Sequence, residues 1–395
     1  MARGHKICLT GFFLLLIAAV PLTQAGLEIY RGDRPQFFDG LLVVPTEANL
    51  RDFEAELEES SWVARTVRLQ MQRLRFVLFH DPGPKALYGR DGWLFYKPGV
   101  DYLTQTAAEQ ANETEPNNGP QAALAAIVDF RDQLAERGIH LLLVPVPGKA
   151  SVYPDKLTRR TLAGDRKFQS RTQGLIEALR RHNVQTVDLF DLFRQLREAD
   201  RRLTDTLYLQ RDTHWSGSGL RAAAAAIAGR IKGLGWLETG ADETQYDLKP
   251  VTVHRQGDIL NMVDVPHLKR VYPAEEVVCQ QIVQNGSGAL YVDNPSSPVL
   301  LLGDSFARIY QRDEPGSAGL IAHLARELAM PLSSVVNDGG ASTLLRQELS
   351  RRPDLLGGKK LVIWEFVERD IRYGTEGWQM VALSAVKPQS SAADE

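Results

Sequence analysis

The stretch RDTHWSGSG places Asp212 and His214 on either side of a single threonine, and GDSF places Ser305 directly after a run of aliphatic residues. Acid, imidazole and hydroxyl are the parts of a nucleophilic relay. A serine hydroxyl attacks an acyl carbonyl poorly at neutral pH. It becomes effective when a histidine takes its proton and a carboxylate orients that histidine. Each residue also has an ordinary structural use. Asp212 and Ser216 suit the N-cap of a helix beginning in GLRAAAAAIAG, and Ser305 suits a tight turn. Capping accounts for neither His214 nor Trp215, and Trp215 reads as core beneath that helix. Asp304 points away from Ser305 by its place in the chain and takes a turn or cap role.

The elements around these residues must bring them together. Val299–Leu302 reads as a strand buried on both faces, and Gly303 permits a sharp turn. Ser305 then falls at the carboxyl end of that strand, the edge where open α/β sheets place their sites. Its hydroxyl is exposed there, and its own N–H offers one oxyanion donor, as in a strand-turn-helix nucleophile elbow. TLYLQ, before Asp212, reads as another strand that would deliver the acid and the histidine to the same edge.

Further afield, helical and strand-like runs alternate. AALAAIVDFRDQLAERG, RTQGLIEALRRHN, SGLRAAAAAIAGRIKGLG, SAGLIAHLARELAM and ASTLLRQELSRRP read as helices. IHLLLVPVP, VQTVDLF, SSVVND and KKLVIWEFVER read as strands. This alternation predicts a three-layer α/β domain with a mainly parallel sheet. Residues 236–298 interrupt it as a mixed segment with short β-like runs such as LYVD, and read as an insertion. Residues 26–50 are irregular, a helix follows from about Thr46 to Phe79, and GRDGWLFYKPGVDYL reads as a turn, an aromatic strand and a Pro-Gly break. EQANETEPNNGP is a polar loop, and 386–395 a disordered tail.

Composition narrows the class. The 395 residues are 44% hydrophobic and 24% charged with a formal net charge of −3, so no basic field points to nucleic acid. Residues 1–25 combine Arg3, His5 and Lys6 with a short apolar run and small residues near Ala25, the layout of an export signal or an uncleaved N-terminal anchor. Cys8 lies inside that segment, leaving Cys279 without a disulfide partner. His254 and His267 lack neighbours at ligand spacing, so no metal is expected.

GDSF resembles the serine block of SGNH hydrolases, whose acid and histidine ordinarily follow the serine. Here DTHWS precedes it, as in a circular permutation. That order, with GRDGWLFYKPGVDYL, VPVPGKASVYP, RDTHWSGSG and LLGDSFARIY, resembles the SGNH-like alginate O-acetyltransferases of the AlgJ and AlgX kind. The length resembles the AlgJ kind, since AlgX carries an additional C-terminal carbohydrate-binding module. The resemblance implies an SGNH-hydrolase-like domain over 26–385, with Ser305 as nucleophile, His214 as base and Asp212 as orienter. It also implies oxyanion donors, for which NDGGAS offers Asn337, Gly339 and Gly340. Lys149 and Tyr153 would face the same cleft, Lys149 as a point charge for a uronate carboxylate, with Arg308 and Tyr310 lining the groove. The expected activity is acetyl transfer through a serine acyl-enzyme onto an exported anionic polysaccharide, alginate mannuronate in the family. It needs no cofactor. A membrane-bound O-acyltransferase would supply acetyl in the periplasm alongside other exopolysaccharide export proteins. A polysaccharide acetyl-esterase with the same relay and a non-catalytic polysaccharide-binding protein are the alternatives.

Overall fold

The computed structural model describes residues 2–35, 81–104, 117–159, 170–200, 202–237, 245–263, 272–338 and 340–384, with isolated positions between 46 and 78. Most of the predicted helix at 46–79, the polar loop and the tail lie outside these residues. The chain divides into two compact units, the first within residues 1–83 and the second from Pro84 onward. The first contains α1 (Ala2–Arg31), which keeps Pro21 inside it and runs past the expected irregular start at Gly26. A Gln24–Glu28 side-chain hydrogen bond of 2.6 Å, four residues apart, spans one turn there. Among the described residues no helix is long and apolar enough to cross a membrane.

The second unit is built on five parallel strands. A short hairpin, β1 (Ala86–Tyr88) and β2 (Leu94–Tyr96), leads into α2 (Lys97–Thr104). The KPGV stretch thus starts a helix instead of ending a strand: Pro98 is its second residue, where a missing N–H is harmless. Next come α3 (Pro120–Ala135), β3 (His140–Val146), α4 (Arg171–Arg181), β4 (Gln185–Thr186) and α5 (Leu189–Ala199). The VQTVDLF strand shrinks to two residues because Asp188 caps α5, accepting from Phe190 N at 3.1 Å. After α6 (Gly217–Leu234), the segment read as irregular forms two ten-residue antiparallel strands, β5 (Tyr246–Arg255) and β6 (Glu275–Gln284). LYVD contributes only an isolated bridge at Leu290. The chain then returns through β7 (Val299–Gly303), α7 (Leu320–Leu328), β8 (Ser333–Val336), α8 (Thr343–Arg351) and β9 (Leu361–Val367).

The sheet order is β4-β3-β9-β7-β8, so β9 lies at the centre although it is the last strand of the sheet. Strand alternation divides the core. Leu142, Val144, Leu301 and Ile363 face one layer with Phe193 of α5, Ile227 of α6 and Leu324 of α7. Leu141, Leu143, Leu302 and Trp364 face the other with Phe130 of α3, Leu179 of α4 and Leu345 of α8. Burial on both faces is why these strands read as unbroken apolar runs. Being parallel, all five end on one edge, where residues 147–149, 304–305, 337 and 368–369 emerge together.

Close packing at that edge is fixed by Gly303. A Cβ there would lie 2.5 Å from the Ala307 Cβ and 2.8 Å from Glu365 Oε2. Gly303→Ala is therefore expected to destabilise the fold by about 1–3 kcal/mol, measured by denaturant unfolding. A neutral result would show that the turn after β7 has slack.

Candidate active site

Ser305 opens a one-turn helix, Ser305–Arg308, capped by Asp304. The Asp304 carboxylate accepts from Phe306 N at 2.7 Å and from Val367 N at 2.9 Å. It thus pins the nucleophile turn to the end of β9. The Ser305 N–H stands at the first helical position, where no intrahelical acceptor exists. Beneath the turn, Asp304 N donates to Glu365 Oε2 at 3.1 Å. Burial, then the charge of Asp304, pushes Glu365 well above its ordinary value and favours its neutral form.

Asp212 and His214 sit on a loop without strand structure, and TLYLQ supplies only the Tyr208–Trp215 bridge. Its carbonyls are satisfied from outside. The Lys149 ammonium donates to the carbonyls of Leu209 at 3.1 Å, Gln210 at 3.0 Å and Asp212 at 2.7 Å. Glu275, at the start of β6, accepts from Gln210 N at 2.9 Å and Arg211 N at 2.8 Å. The cap of α6 is Ser216, which accepts from Gly219 N at 3.2 Å. Asp212 is free of that duty.

The three relay groups meet. Ser305 Oγ lies 2.9 Å from His214 Nε2, and His214 Nδ1 lies 2.6 Å from Asp212 Oδ1. With Nδ1–H donating to the carboxylate, Nε2 accepts from the serine hydroxyl. Asp212 Oδ1 also accepts from His214 N at 3.1 Å, and Oδ2 accepts from Asp258 N at 3.2 Å and Arg255 Nη2 at 3.4 Å. Burial would raise Asp212, but the His214 charge and hydrogen bond, with Arg255, outweigh it and hold it well below the carboxylate range. Burial likewise opposes the imidazolium, but the charge and hydrogen bond of Asp212, then Asp258, outweigh it and raise His214. The Phe306 ring packs 4.9 Å from the imidazole and restricts it further. Such a unit can remove a hydroxyl proton, stabilise the resulting imidazolium and return the proton to a leaving oxygen.

Other predicted residues have different surroundings. Lys149 is 5% exposed and spends its three protons on loop carbonyls, so it braces the relay and has none left for a carboxylate. Burial pushes it down to about 8, against the pull of Asp258 and Asp212. Tyr153 is buried, its hydroxyl accepting from Leu207 N at 2.8 Å, and Tyr310 is buried with its hydroxyl directed at the Trp215 carbonyl. Neither lines an open groove. Arg308 is paired with Asp313 and, at 2.8 Å, with Asp338. Asn337 N donates to Gly303 O at 3.0 Å, prolonging the β7–β8 ladder beside the nucleophile turn, and Gly340 has φ +132°. Gly339 lies outside the described residues, as does His267. Trp215 is fully buried against Phe306, as read from sequence.

Sequence reading missed Arg255 and Asp258, which the β5–β6 arm carries to Asp212, and Arg369, which follows β9. Their only signal was the charged HRQGD in the presumed insertion and the polar ERD after an apolar strand. Arg369 borders a cleft with Tyr96, Gly148, Lys149, Thr213 and Glu368, so Lys149 does reach the expected cleft; the Arg369 guanidinium lies 5.3 Å from the Tyr96 ring and 5.9 Å from the Phe306 ring. Asp212, His214 and Asp258 offer ligand atoms within 4.8 Å of one another, but those atoms already serve the relay and the Thr213 hydrogen bonds.

Two tests follow from this geometry. Lys149→Met should cost about 1–3 kcal/mol of stability and reduce turnover equally with neutral and uronate acceptors. A loss confined to uronate would return Lys149 to the binding surface. Because Glu365 is raised in the fold, folding takes up a proton, and stability falls as pH rises above the ordinary carboxylate value. Glu365→Gln should therefore be more stable than the parent by at least about 1 kcal/mol near about pH 8, the gap closing towards about pH 4. A pH-independent gap in thermal unfolding would mean Glu365 is ionised.

Residues 86–368 match the family model described as SGNH hydrolase-like domain, acetyltransferase AlgX. The chain is similar to the "Probable alginate O-acetylase AlgJ" of Pseudomonas aeruginosa, 25% identical over 339 residues, covering 80% of this chain and 78% of that protein. The protein of that name from Pseudomonas putida is 25% identical over 387 residues, covering 93% and 90%. Among solved structures, the O-acetyltransferase domain of Pseudomonas putida AlgJ superposes with a TM-score of 0.56 at 24% identity, covering 78% of this chain and 97% of that one. Pseudomonas aeruginosa AlgX gives 0.50 at 20%, covering 71% and 62%. These superpositions share the α/β fold with its parallel central sheet. With the family model spanning most of its length, the chain belongs to the SGNH hydrolase-like acetyltransferase family of AlgX.

Proposed function

We propose that this protein transfers acetyl groups through Ser305 onto hydroxyls of an exported uronate polysaccharide, alginate being the polymer named for its relatives. The observation that carries the reading is the continuous Ser305–His214–Asp212 hydrogen-bond chain at the carboxyl edge of an acetyltransferase-family domain. In the first half-reaction Ser305 Oγ attacks the donor's acetyl carbonyl while His214 Nε2 takes the hydroxyl proton. The tetrahedral oxyanion lies by the Ser305 N–H. As the donor oxygen leaves, His214 returns the proton to it, and the acetyl group is esterified to Ser305. In the second half a sugar hydroxyl gives its proton to His214 and attacks the acyl carbonyl. The Ser305 oxygen leaves, recovers the proton and frees the enzyme.

Arg369 supports an anionic acceptor. Among the described residues it has no ion-pair partner, and it borders the cleft beside Thr213. A guanidinium suits the two oxygens of a uronate carboxylate. The N-terminal pattern of Arg3, His5 and Lys6 before an apolar run supports a periplasmic location, with residues 1–25 cleaved or kept as a tether. In that compartment the donor is an acetyl ester supplied by a membrane-bound O-acyltransferase, alongside other exopolysaccharide export proteins.

The test supplies an activated acetyl ester with and without oligomannuronate and follows the acetyl group by mass spectrometry. The parent protein should yield acetylated oligosaccharide, and Ser305→Ala should lose at least about a thousandfold in turnover while remaining folded. Acetate alone with abundant acceptor would indicate an esterase. Undiminished turnover in the variant would remove Ser305 from the mechanism.

A further inference from the structure

His214 Nδ1 faces three oxygens. Asp212 Oδ1 at 2.6 Å takes its hydrogen bond, Thr213 Oγ1 lies at 3.2 Å, and a second carboxylate oxygen, Asp258 Oδ2, lies at 3.6 Å. The last distance is long for a hydrogen bond but short for charge–charge attraction across a largely desolvated space. Asp258 is held there by built contacts. Its Oδ1 accepts from Thr213 N at 2.6 Å and its Oδ2 from the Thr213 hydroxyl, while its own N–H donates to Asp212 Oδ2 at 3.2 Å. The preceding Gly257 has φ +84°, and a Cβ there would collide with the Arg211 backbone, so the turn sits tightly on the loop.

We propose that Asp258 is a second acidic positioning residue of the relay, acting on His214 by charge where Asp212 acts by hydrogen bond. This rests on the reading of Ser305, His214 and Asp212 as an acyl-transfer relay. As the serine proton arrives, the imidazolium finds one carboxylate bonded to it and another 3.6 Å away, which favours proton transfer and strengthens the base. The other charges around the imidazole set the balance. Arg369, beyond the end of β9, disfavours the imidazolium. Arg255, on β5, is drawn to Asp212, and Lys149, after β3, is drawn first to Asp258 and then to Asp212, so the two cations offset part of the negative charge. Asp258 itself is raised by burial and by Asp212, so it gives its full charge only above the ordinary range of an aspartate.

The experiment titrates the His214 ring by NMR in isotopically labelled full-length protein, assigned by its loss in His214→Gln. Asp258→Asn keeps an acceptor for Thr213 N and removes the charge. Its His214 midpoint is expected to fall by about one pH unit. The acid limb of kcat/KM with an activated acetyl ester should move down with it, because more acid is then needed before the base is lost. Asp258→Glu should restore most of the parent midpoint. If Asp258→Asn does not fold, Asp258→Ser is the substitute, with the same fall expected. An unchanged midpoint overturns the proposal, even if activity drops, since Asp258 would then be only a brace for Thr213. The ring titration needs no substrate. Retained turnover in Ser305→Ala would defeat the acyl-enzyme reading without altering what the midpoint says about Asp258.

Discussion

A buried loop with no ladder of its own must have its carbonyls satisfied from elsewhere, and here one ammonium group serves three of them. Lys149 emerges from the end of β3 and draws together the carbonyls of Leu209, Gln210 and Asp212. The loop carrying the acid and base is thereby tied to the sheet edge that carries the nucleophile. Trp93 and Phe95 approach the same ammonium at 5.8 and 5.2 Å and shield it from water. Glu275 performs the reciprocal task for the loop's N–H groups. The Ser305–His214–Asp212 hydrogen-bond geometry thus rests on two oppositely charged clamps from separate elements.

The end of β9 solves a related problem with two carboxyl groups in opposite states of satisfaction. Glu368 accepts from Gly148 N at 2.6 Å, Thr172 Oγ1 at 3.0 Å and the hydroxyls of Ser151 and Ser170. It fastens the loop after β3 to the start of α4. Glu365, on the face towards α6 and α7, receives one N–H and has an oxygen without a partner among the described residues. The upward shift of Glu365 favours the neutral form, for which such an oxygen costs less in a dry interior. The two residues are three apart in the sequence, and surroundings alone decide their roles.

Features set by local pattern were legible in the sequence. The fully buried parallel strands announced themselves as apolar runs, and Ser305 could be placed because a glycine and an acid follow such a run. The cap reading also had substance, but it belonged to Ser216, and Asp304 took the cap role expected of it. What failed was whatever depended on distant partners. TLYLQ has strand composition, yet its backbone is claimed by Lys149 and Glu275, residues far off in the chain. Lys149 looked like a ligand-facing charge because nothing in VPGKAS reveals that three carbonyls will surround it. Asp258 and Arg255 stayed hidden because β5, the strand that leads to them, lacks the apolar alternation of a half-buried sheet: Asp247–Pro250 are exposed on both faces.

The central place of β9 has a consequence for how the molecule comes into being. His140 of β3 pairs with Leu361, and β7 reaches β3 only through β9. Until that strand is present, the two halves of the edge have no strand pairing to join them, and Asp304 lacks the Val367 N–H that pins the turn carrying Ser305. Pairings so remote in the chain form late and slowly. A polypeptide emerging from its N-terminus therefore carries every relay residue before it can assemble them. Among the described strands of the sheet the last to appear is the keystone, and the hydroxyl is pinned beside its base only once β9 has been made.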